Sequence, residues 1–255
     1  MTAGEVYDDP AAVAEIVASL ARPVLLGLDV DGVLAPIVAH ADDAELLRGI
    51  DEVVTALAAL TPVAVVSGRS VDDLHRFEFS ETITVIGSHG MERRAGPALE
   101  LDDAEHARLR RLTDLADAAA DQAGEGAWVE RKPAGAVLHV REAQAPTSDE
   151  AVDELLRRAD DITGAHVKTG DSVVELLTRT TSKATAVAAI RAETGAAAVA
   201  FVGDDLTDEE VFAALGPGDC SIRVGGGETA ARHRFAGPPE VLQFLHRLAA
   251  ALPVD

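Results

Sequence analysis

The sequence predicts an α/β protein whose core is a doubly wound parallel sheet, with a smaller domain of αββαββ order inserted into it. Two observations carry this prediction. Near both ends of the chain, short apolar runs rich in β-branched residues alternate with segments of helical periodicity. In the middle, the pattern changes to two helices, each followed by two short strands. We therefore expect a core of residues 1–92 and 180–255 and an inserted domain of residues 93–179.

The core elements are predicted from apolar runs that end in polar residues. The strands are expected at residues 23–30, 62–68, 83–88, 197–204 and, in a weaker run, 220–225. Helical spacing of apolar residues predicts helices at residues 42–60, 182–195 and 208–216. The carboxyl edge of such a sheet is where ligands bind, so the polar strand ends are the first place to look for a site.

The inserted domain is predicted to be an antiparallel sheet with two helices on one face. Its helices are expected at residues 103–124 and 147–162, and its two hairpins at residues 128–132 with 136–142 and 165–169 with 172–178. The second hairpin is expected to turn at Gly170 and Asp171. A domain of this size is large enough to cover a cleft.

Composition and charge narrow the classes of function. The 255 residues are 47% hydrophobic and contain no apolar run approaching the about eighteen residues of a membrane span. A formal net charge of −22 argues against a nucleic-acid or anionic-membrane partner, because both need a basic surface. The first residues lack the basic and apolar regions of a secretory signal, so we expect a cytoplasmic protein. The single cysteine, Cys220, excludes an internal disulfide or a cysteine-based metal cluster.

Two carboxylates follow the first predicted strand. Asp29 and Asp31 stand two residues apart, and Gly32 permits the turn after them. A carboxylate at this position is able to attack an electrophile, and a second one nearby is able to exchange a proton with the leaving group. Asp29 is therefore the candidate nucleophile and Asp31 the candidate acid and base. The alternative is a solvated turn, in which Asp and Gly are common.

The second predicted strand ends in Ser67, Gly68 and Arg69. A hydroxyl and main-chain N–H groups at the start of a helix suit a phosphate oxygen. The alternative is that Ser67 only caps the helix that follows.

Three more carboxylates, Asp204, Asp205 and Asp208, follow a third predicted strand. Oxygen ligands that converge at one strand end favour Mg²⁺, although a helix dipole by itself explains Asp208. Lys183 starts a helix after the insert and is one of only three lysines in the chain, with Lys132 and Lys168. A lysine there adds a positive charge for phosphate and for the nucleophile, unless it is simply a solvated side chain.

In this order, the motifs resemble those of the haloacid dehalogenase superfamily of aspartate-nucleophile phosphatases, across essentially the whole chain. More specific segments make the chain similar to the trehalose-6-phosphate phosphatase family: DVDGVLAPIV, VSGRS, GSHGME, FVGDDLTDEEVF, and Glu130-x-Lys132 with HVR at residues 139–141.

The resemblance implies a mechanism. Asp29 takes up the phosphoryl group as an aspartyl phosphate, and Asp31 protonates the leaving sugar oxygen and then activates water. Mg²⁺ is held by Asp29, the Asp31 carbonyl and Asp204, with Asp205 and Asp208 acting through waters or through neighbouring contacts. Ser67, Gly68 and Lys183 bind the phosphate. The implied partner is a small-molecule sugar phosphate.

The resemblance also assigns the choice of sugar to the insert. The matching polar positions are Glu130, Lys132, Lys168 and Glu175, for which exposed hairpin charges are the alternative explanation. Arg69 and His89 are expected to contact the substrate, and His89 and Glu92 are expected to line the cleft. His139 and Arg141 are expected to brace the hairpin instead.

Three departures from the family pattern lie near these positions. Leu176 and Leu177 replace Arg-Pro, Ala184 replaces Gly, and Val140 replaces Tyr. They leave open a phosphatase for sucrose phosphate, mannosylglycerate phosphate or another related phosphate. A third hypothesis is an inactive domain that senses a sugar phosphate.

Overall fold

The computed structural model describes residues 6–38, 40–95, 101–170 and 172–253 and divides the chain into two compact units. Unit 1 comprises Met1–Gly96 and Thr181–Asp255, and unit 2 comprises Pro97–Thr180. These bounds lie a few residues later than the predicted ones, because Glu92–Arg93 pairs with a strand of unit 1. None of the helices in the described part of the chain is long and apolar enough to span a membrane.

The elements alternate along the chain as predicted. The first part of unit 1 contains α1 (Pro10–Ala18), β1 (Val24–Leu28), α2 (Ile50–Ala58), β2 (Val63–Val66), α3 (Val71–Leu74), β3 (Thr84–Gly87) and β4 (Glu92–Arg93). Unit 2 contains α4 (Asp103–Ala123), β5 (Trp128–Lys132), β6 (Gly135–His139), α5 (Thr147–Asp160), β7 (His166–Gly170) and β8 (Val173–Leu177). The second part of unit 1 contains α6 (Lys183–Thr194), β9 (Ala198–Gly203), α7 (Leu206–Ala214), β10 (Cys220–Val224), β11 (His233–Phe235) and α8 (Pro238–Ala251).

Unit 1 is built on a seven-stranded sheet of order β11-β10-β9-β1-β2-β3-β4. All neighbours are parallel except β3 and β4. One face is covered by α1, α2 and α8, and the other by α6 and α7, so each face has its own buried apolar cluster. The predicted doubly wound α/β core is confirmed. Cys220 is buried in the first of these clusters.

Unit 2 is a four-stranded antiparallel sheet of order β5-β6-β8-β7. Apolar residues of α4 and α5 pack on one face of this sheet, around Leu138 and Leu176. The predicted αββαββ order is confirmed. Of the predicted second turn, Gly170 ends β7, and Asp171 lies outside the described residues.

Two predicted helices have different bounds. The helix predicted at residues 42–60 is shorter, because it begins only after Gly49, whose φ is +91°. In the preceding segment, the N–H of Leu47 donates to the carbonyl of Leu34 at 2.9 Å, so its main chain bonds to the loop after β1. The helix predicted at residues 208–216 starts two residues earlier, at Leu206, because Asp205 caps it.

Candidate active site

Three loops meet at the carboxyl edge of the unit 1 sheet because of the strand order. β1 lies between β2 and β9 and is parallel to both. The residues that follow these three strands therefore leave the sheet side by side. They are the segments at residues 29–32, 67–70 and 204–205. The topology thus brings together the polar strand ends that the sequence singled out.

Asp29 is held in a buried and fixed position at the end of β1. Its side chain is almost fully buried, and its Oδ1 accepts a hydrogen bond from the N–H of Val30 at 2.7 Å. Its Oδ2 lies 2.7 Å from Nζ of Lys183. A turn residue in water would have neither contact, so the solvated-turn alternative for Asp29 is wrong.

Lys183 is the central cation of the site. It is the first residue of α6 and only 1% exposed, and its Nζ lies 2.9 Å from Asp208 Oδ1 and 3.8 Å from Asp205 Oδ1. Burial alone would lower the pKa of Lys183, but the charges of Asp29, Asp208 and Asp205 outweigh burial and raise it above its ordinary value. Lys183 is therefore a buried cation and not a solvated surface side chain.

The loop after β9 folds its carboxylates inward. Asp205 caps α7, since its Oδ1 accepts hydrogen bonds from the N–H groups of Thr207 at 2.9 Å and Asp208 at 3.0 Å. Asp208 is fully buried, and its Oδ2 accepts from the N–H groups of Asp204 at 2.9 Å and Asp205 at 3.1 Å. A methyl group at Gly32 would lie 2.0 Å from Asp204 Oδ2, so the Asp204 carboxylate rests on the loop after β1.

Crowded negative charge is the main electrostatic property of this site. Burial raises the pKa of Asp29 to about 6. Burial, followed by neighbouring carboxylates, raises the pKa of Asp204 to about 7 and that of Asp208 to about 8. For Asp205, burial also acts to raise the pKa, but Lys183 and its own hydrogen bonds outweigh this effect and lower it. A divalent cation would relieve this repulsion.

The donor set fits Mg²⁺. Asp29, Asp204, Asp205 and Asp208 each offer a carboxylate oxygen, and these oxygens lie within 4.8 Å of one another. Hard oxygen ligands are what Mg²⁺ prefers, with one or two carboxylates binding it directly. Both oxygens of Asp208 already accept hydrogen bonds, from Lys183 and from the N–H groups of Asp204 and Asp205, which makes Asp208 the least available of the four.

The Asp31 carboxylate is bound by an arginine. Nε and Nη2 of Arg69 each donate to one of its oxygens at 2.7 Å, in a forked pair. Hydrogen bonding to Asp31 raises the pKa of Arg69 above its ordinary value. Arg69, which was expected to contact substrate, thus holds the candidate acid and base in this structure. Asp31 and Arg69 belong to two separate sequence motifs, and no local pattern predicts that side chains 38 positions apart form a pair.

Ser67 does not act as a helix cap. The cap of α3 is Ser70, whose hydroxyl accepts from the N–H of Asp73 at 3.0 Å. Ser67 is buried, and its Oγ accepts from the N–H of Arg69 at 3.2 Å, which leaves the hydroxyl hydrogen to be donated. The capping alternative for Ser67 is therefore wrong. Next to it, a methyl group at Gly68 would lie 2.5 Å from Cε1 of His89.

In unit 2, the polar residues share the sheet face that the helices leave uncovered. The strand register aligns Glu130, Val137, Glu175 and Lys168 in one row across the sheet. Lys132 Nζ donates to Glu175 Oε1 at 3.1 Å, and both side chains are nearly buried. These four predicted sugar contacts therefore lie on one surface. Lys132 and Glu175 form an ion pair, so they are not the independent exposed charges of the alternative explanation.

Trp128, on the same face, was missed in the sequence analysis, whereas His139 was predicted to brace the hairpin. Trp128 stacks on His139 with ring centroids 3.9 Å apart and an angle of 2°, and His139 Nε2 lies 3.1 Å from Glu130 Oε2. Trp128 is 54% exposed. The alternation of residues 128, 130 and 132 along one strand is the signal that places Trp128 beside Glu130 and Lys132.

Comparison with known proteins gives a consistent result. A family model described as trehalose-phosphatase matches residues 27–235. Trehalose-6-phosphate phosphatase of Escherichia coli is 33% identical over 243 residues, which cover 88% of this chain and 86% of that protein. An uncharacterized glycosyl hydrolase of Mycobacterium tuberculosis is 36% identical over 252 residues; they cover 91% of this chain but only 18% of that longer protein.

Solved structures show the same fold. The C-terminal domain of trehalose-6-phosphate phosphatase from C. albicans superposes with a TM-score of 0.73 at 18% identity, covering 98% of this chain and 99% of that one. A trehalose-6-phosphate phosphatase related protein superposes with a TM-score of 0.70 at 24% identity, covering 89% and 97%. From the family match and the Escherichia coli relative, we conclude that this chain belongs to the trehalose-phosphatase family.

Proposed function

We propose that this protein is a Mg²⁺-dependent phosphatase that hydrolyses trehalose 6-phosphate to trehalose and phosphate. The observation that carries the proposal is the buried Asp29 at the end of β1, with Lys183 on its Oδ2 and three further carboxylates beside it. Family membership and the similarity to trehalose-6-phosphate phosphatase of Escherichia coli support the choice of substrate.

Asp29 acts as the nucleophile in this proposal. Its carboxylate attacks phosphorus, the bond from phosphorus to the sugar oxygen breaks, and an aspartyl phosphate forms. Lys183 supplies positive charge at the nucleophile and at the phosphate, in a protein whose net charge of −22 otherwise repels a dianion. The Ser67 hydroxyl and the main chain of Gly68 bind phosphate oxygens.

Asp31 acts as the acid and then as the base. It donates a proton to the departing sugar oxygen and later takes a proton from the water that hydrolyses the aspartyl phosphate. The forked pair with Arg69 occupies both oxygens of Asp31, so in this proposal Arg69 releases one of them when Asp31 carries the proton. Two carboxylates on one short loop, Asp29 and Asp31, thus take part in both the formation and the hydrolysis of the aspartyl phosphate.

The candidate metal ligands are Asp29, the main-chain carbonyl of Asp31 and Asp204, with Asp205 and Asp208 supporting them. When bound, Mg²⁺ neutralises negative charge on the transferring phosphoryl group. Asp205 and Asp208 order the loop that carries Asp204. Asp208 accepts hydrogen bonds from the N–H groups of Asp204 and Asp205, and Asp205 accepts one from the N–H of Asp208.

We propose that unit 2 is the cap that selects the sugar, through Glu130, Lys132, Lys168 and Glu175. Carboxylate and ammonium groups that share one surface can bind several hydroxyls in a fixed pattern. The pairing of Lys132 with Glu175 holds both groups in position before a sugar binds. His89 is a further candidate contact with the substrate.

A phosphatase for another disaccharide or pseudo-disaccharide phosphate is the second candidate. It stays a candidate because Leu176 and Leu177 stand where the family usually has Arg-Pro after the glutamate. Both leucine side chains are buried, Leu177 being only 1% exposed, so the exchange removes an arginine next to Glu175 and adds no leucine contact to a sugar.

Phosphate release from a panel of sugar phosphates, with and without Mg²⁺, tests the proposal. We expect the highest kcat/KM for trehalose 6-phosphate, loss of turnover with EDTA, and loss of turnover in Asp29→Asn. Asn keeps the side-chain volume of Asp29 but is not a nucleophile, so the fold should be retained, as circular dichroism would show. Preference for another sugar phosphate would select the second candidate. Binding of trehalose 6-phosphate without turnover would select the sensing domain, and substantial activity of Asp29→Asn would refute the mechanism.

A further inference from the structure

A strained segment, Gly87–Glu92, lies beside the phosphate-binding loop, and its main chain and Glu92 have no part in the mechanism proposed above. Three consecutive residues have positive φ angles: Ser88 at +48°, His89 at +53° and Gly90 at +105°. Positive φ is unfavourable for Ser and His, so contacts around the segment must hold this conformation. Such strain is often found where a site needs an exact geometry. We call Gly87–Glu92 the bracket segment.

The bracket segment holds the loop at residues 67–69 through the main chain. The N–H of Ser88 donates to the carbonyl of Arg69 at 2.7 Å, and the N–H of His89 donates to the carbonyl of Ser67 at 3.0 Å. A methyl group at Gly87 would lie 2.8 Å from the carbonyl oxygen of Arg69, so the two main chains are in direct contact. The loop that carries Ser67, Gly68 and Arg69 is thus fixed along its whole length.

Glu92 locks the bracket segment in this position. One of its carboxylate oxygens accepts a hydrogen bond from the N–H of Val71 at 3.0 Å, and the other accepts one from the hydroxyl of Ser88. Val71 immediately follows the phosphate-binding loop and its helix cap, while Ser88 starts the strained turn. The Glu92 carboxylate therefore connects the residue that follows the phosphate-binding loop and its helix cap to the strained turn of the bracket segment.

The other side of the bracket segment contacts the start of α6. A methyl group at Gly90 would lie 2.8 Å from the carbonyl oxygen of Ser182 and 3.3 Å from Cβ of Ala186. Ser182 is the N-cap of α6, and Lys183 is the next residue. The bracket segment is therefore packed between the loop of Ser67 and the first turn of α6, the helix that begins with Lys183.

We propose that Glu92 is a positioning residue for phosphoryl transfer: through the bracket segment it sets the spacing between the phosphate-binding loop and Lys183. This inference rests on the proposed phosphatase activity. Phosphoryl transfer depends on groups placed around the phosphate, and a displacement of about 1 Å costs about 10²-fold in rate. Because the spacing acts on the phosphate and not on the sugar, its loss should affect every phosphate monoester alike.

The variants Glu92→Ala, Glu92→Gln and Ser88→Ala test this role. Gln retains both contacts, since its carbonyl oxygen accepts from the N–H of Val71 and its amide donates to the Ser88 hydroxyl. Glu81→Ala is the matched control, because Glu81 is exposed in the turn before β3. For each variant we would measure kcat/KM with trehalose 6-phosphate and with 4-nitrophenyl phosphate in Mg²⁺, the inhibition constant of vanadate, and the melting temperature.

We expect Glu92→Ala to lose about 10- to 100-fold in kcat/KM with both substrates, with a parallel rise in the vanadate inhibition constant. Ser88→Ala should lose less in the same pattern, and Glu92→Gln should stay within about threefold of the parent protein. A purely structural role would lower the melting temperature and leave kcat/KM of the folded protein and vanadate inhibition unchanged, which would overturn the inference. Equal losses in Glu92→Gln and Glu92→Ala, or a loss confined to the sugar substrate, would also overturn it. An inactive parent protein would instead refute the proposed function.

Discussion

Replacing Lys183 by Met tests whether this buried cation holds the site together. Met is similar in length to Lys and is able to fill the space of the aliphatic part of the Lys183 side chain. It removes the charge that contacts Asp29 at 2.7 Å and Asp208 at 2.9 Å. Among the four clustered carboxylates and Lys183, the formal charge falls from −3 to −4 when the carboxylates are ionised. The two carboxylates that face Lys183 would remain buried without a cation.

The expected loss of stability is large because these groups are buried. Lys183, Asp29 and Asp208 have side chains that are at most 5% exposed. Removing one partner from a buried ion pair costs about 3–5 kcal/mol. For a domain of this size, such a loss lowers the melting temperature by about 6–20 °C. Since the pKa of Asp29 is about 6 and that of Asp208 about 8, the loss should be larger at pH 8 than at pH 5.

Thermal and urea unfolding in EDTA would measure this effect in the parent protein, Lys183→Met, Asp208→Asn and the double variant. Asp208→Asn removes one of the unpaired charges, so we expect the double variant to be more stable than additivity predicts by at least about 1 kcal/mol. Lys168→Met is the matched control and should change stability by less than about 1 kcal/mol, because Lys168 is only partly buried. A destabilisation below about 1 kcal/mol in Lys183→Met, or additive effects in the cycle, would refute the reasoning.

Three further predictions concern the metal and the sugar. Without Mg²⁺, the pKa values of Asp204 and Asp208 lie above the ordinary value of 3.8. The contribution of these two groups to folding stability is therefore full below about pH 4 and is lost as the pH rises through about 7 to 8. The increase in melting temperature caused by Mg²⁺ should grow from about pH 5 to about pH 8, and an increase that does not change with pH would contradict this. Gly32→Ala should raise the Kd for Mg²⁺, measured by calorimetry, by about tenfold or more, because the added Cβ would lie 2.0 Å from Asp204 Oδ2. Gly49→Ala is the control: Gly49 also has a positive φ, but an added Cβ meets nothing within 4 Å, so this variant should bind Mg²⁺ with the Kd of the parent protein. Lys132→Ala should impair hydrolysis of trehalose 6-phosphate by about tenfold or more relative to 4-nitrophenyl phosphate, and equal losses would argue against a sugar-binding cap.

The fold was predictable because its signals are local. A buried parallel strand is a short apolar run, so β1 and β9 could be read from the sequence together with Asp29 and Asp204 at their ends. The αββαββ order followed from alternation and turn residues in the same way. Helix bounds were less accurate where the main chain has another partner, as in the segment before Gly49.

The site was predictable as a set of residues but not as a set of contacts. Parallel strands bring their ends to one edge whatever the loops do, so Asp29 and Asp204 could be placed together. The pairing of Asp31 with Arg69 and the stacking of Trp128 on His139 depend on side-chain directions that no local pattern fixes. The positive φ angles of the bracket segment are also set by tertiary contacts, since Ser and His rarely adopt them on their own.

A crystal structure with Mg²⁺ and beryllium fluoride would test the proposed mechanism at the nucleophile, because beryllium fluoride mimics a phosphoryl group on a carboxylate. We expect one Mg²⁺ bound by Asp29, the Asp31 carbonyl and Asp204, with beryllium bonded to a carboxylate oxygen of Asp29 and its fluorides near Ser67 and Lys183. An Asp29 carboxylate without beryllium, or a Mg²⁺ bound away from Asp29 and Asp204, would contradict it.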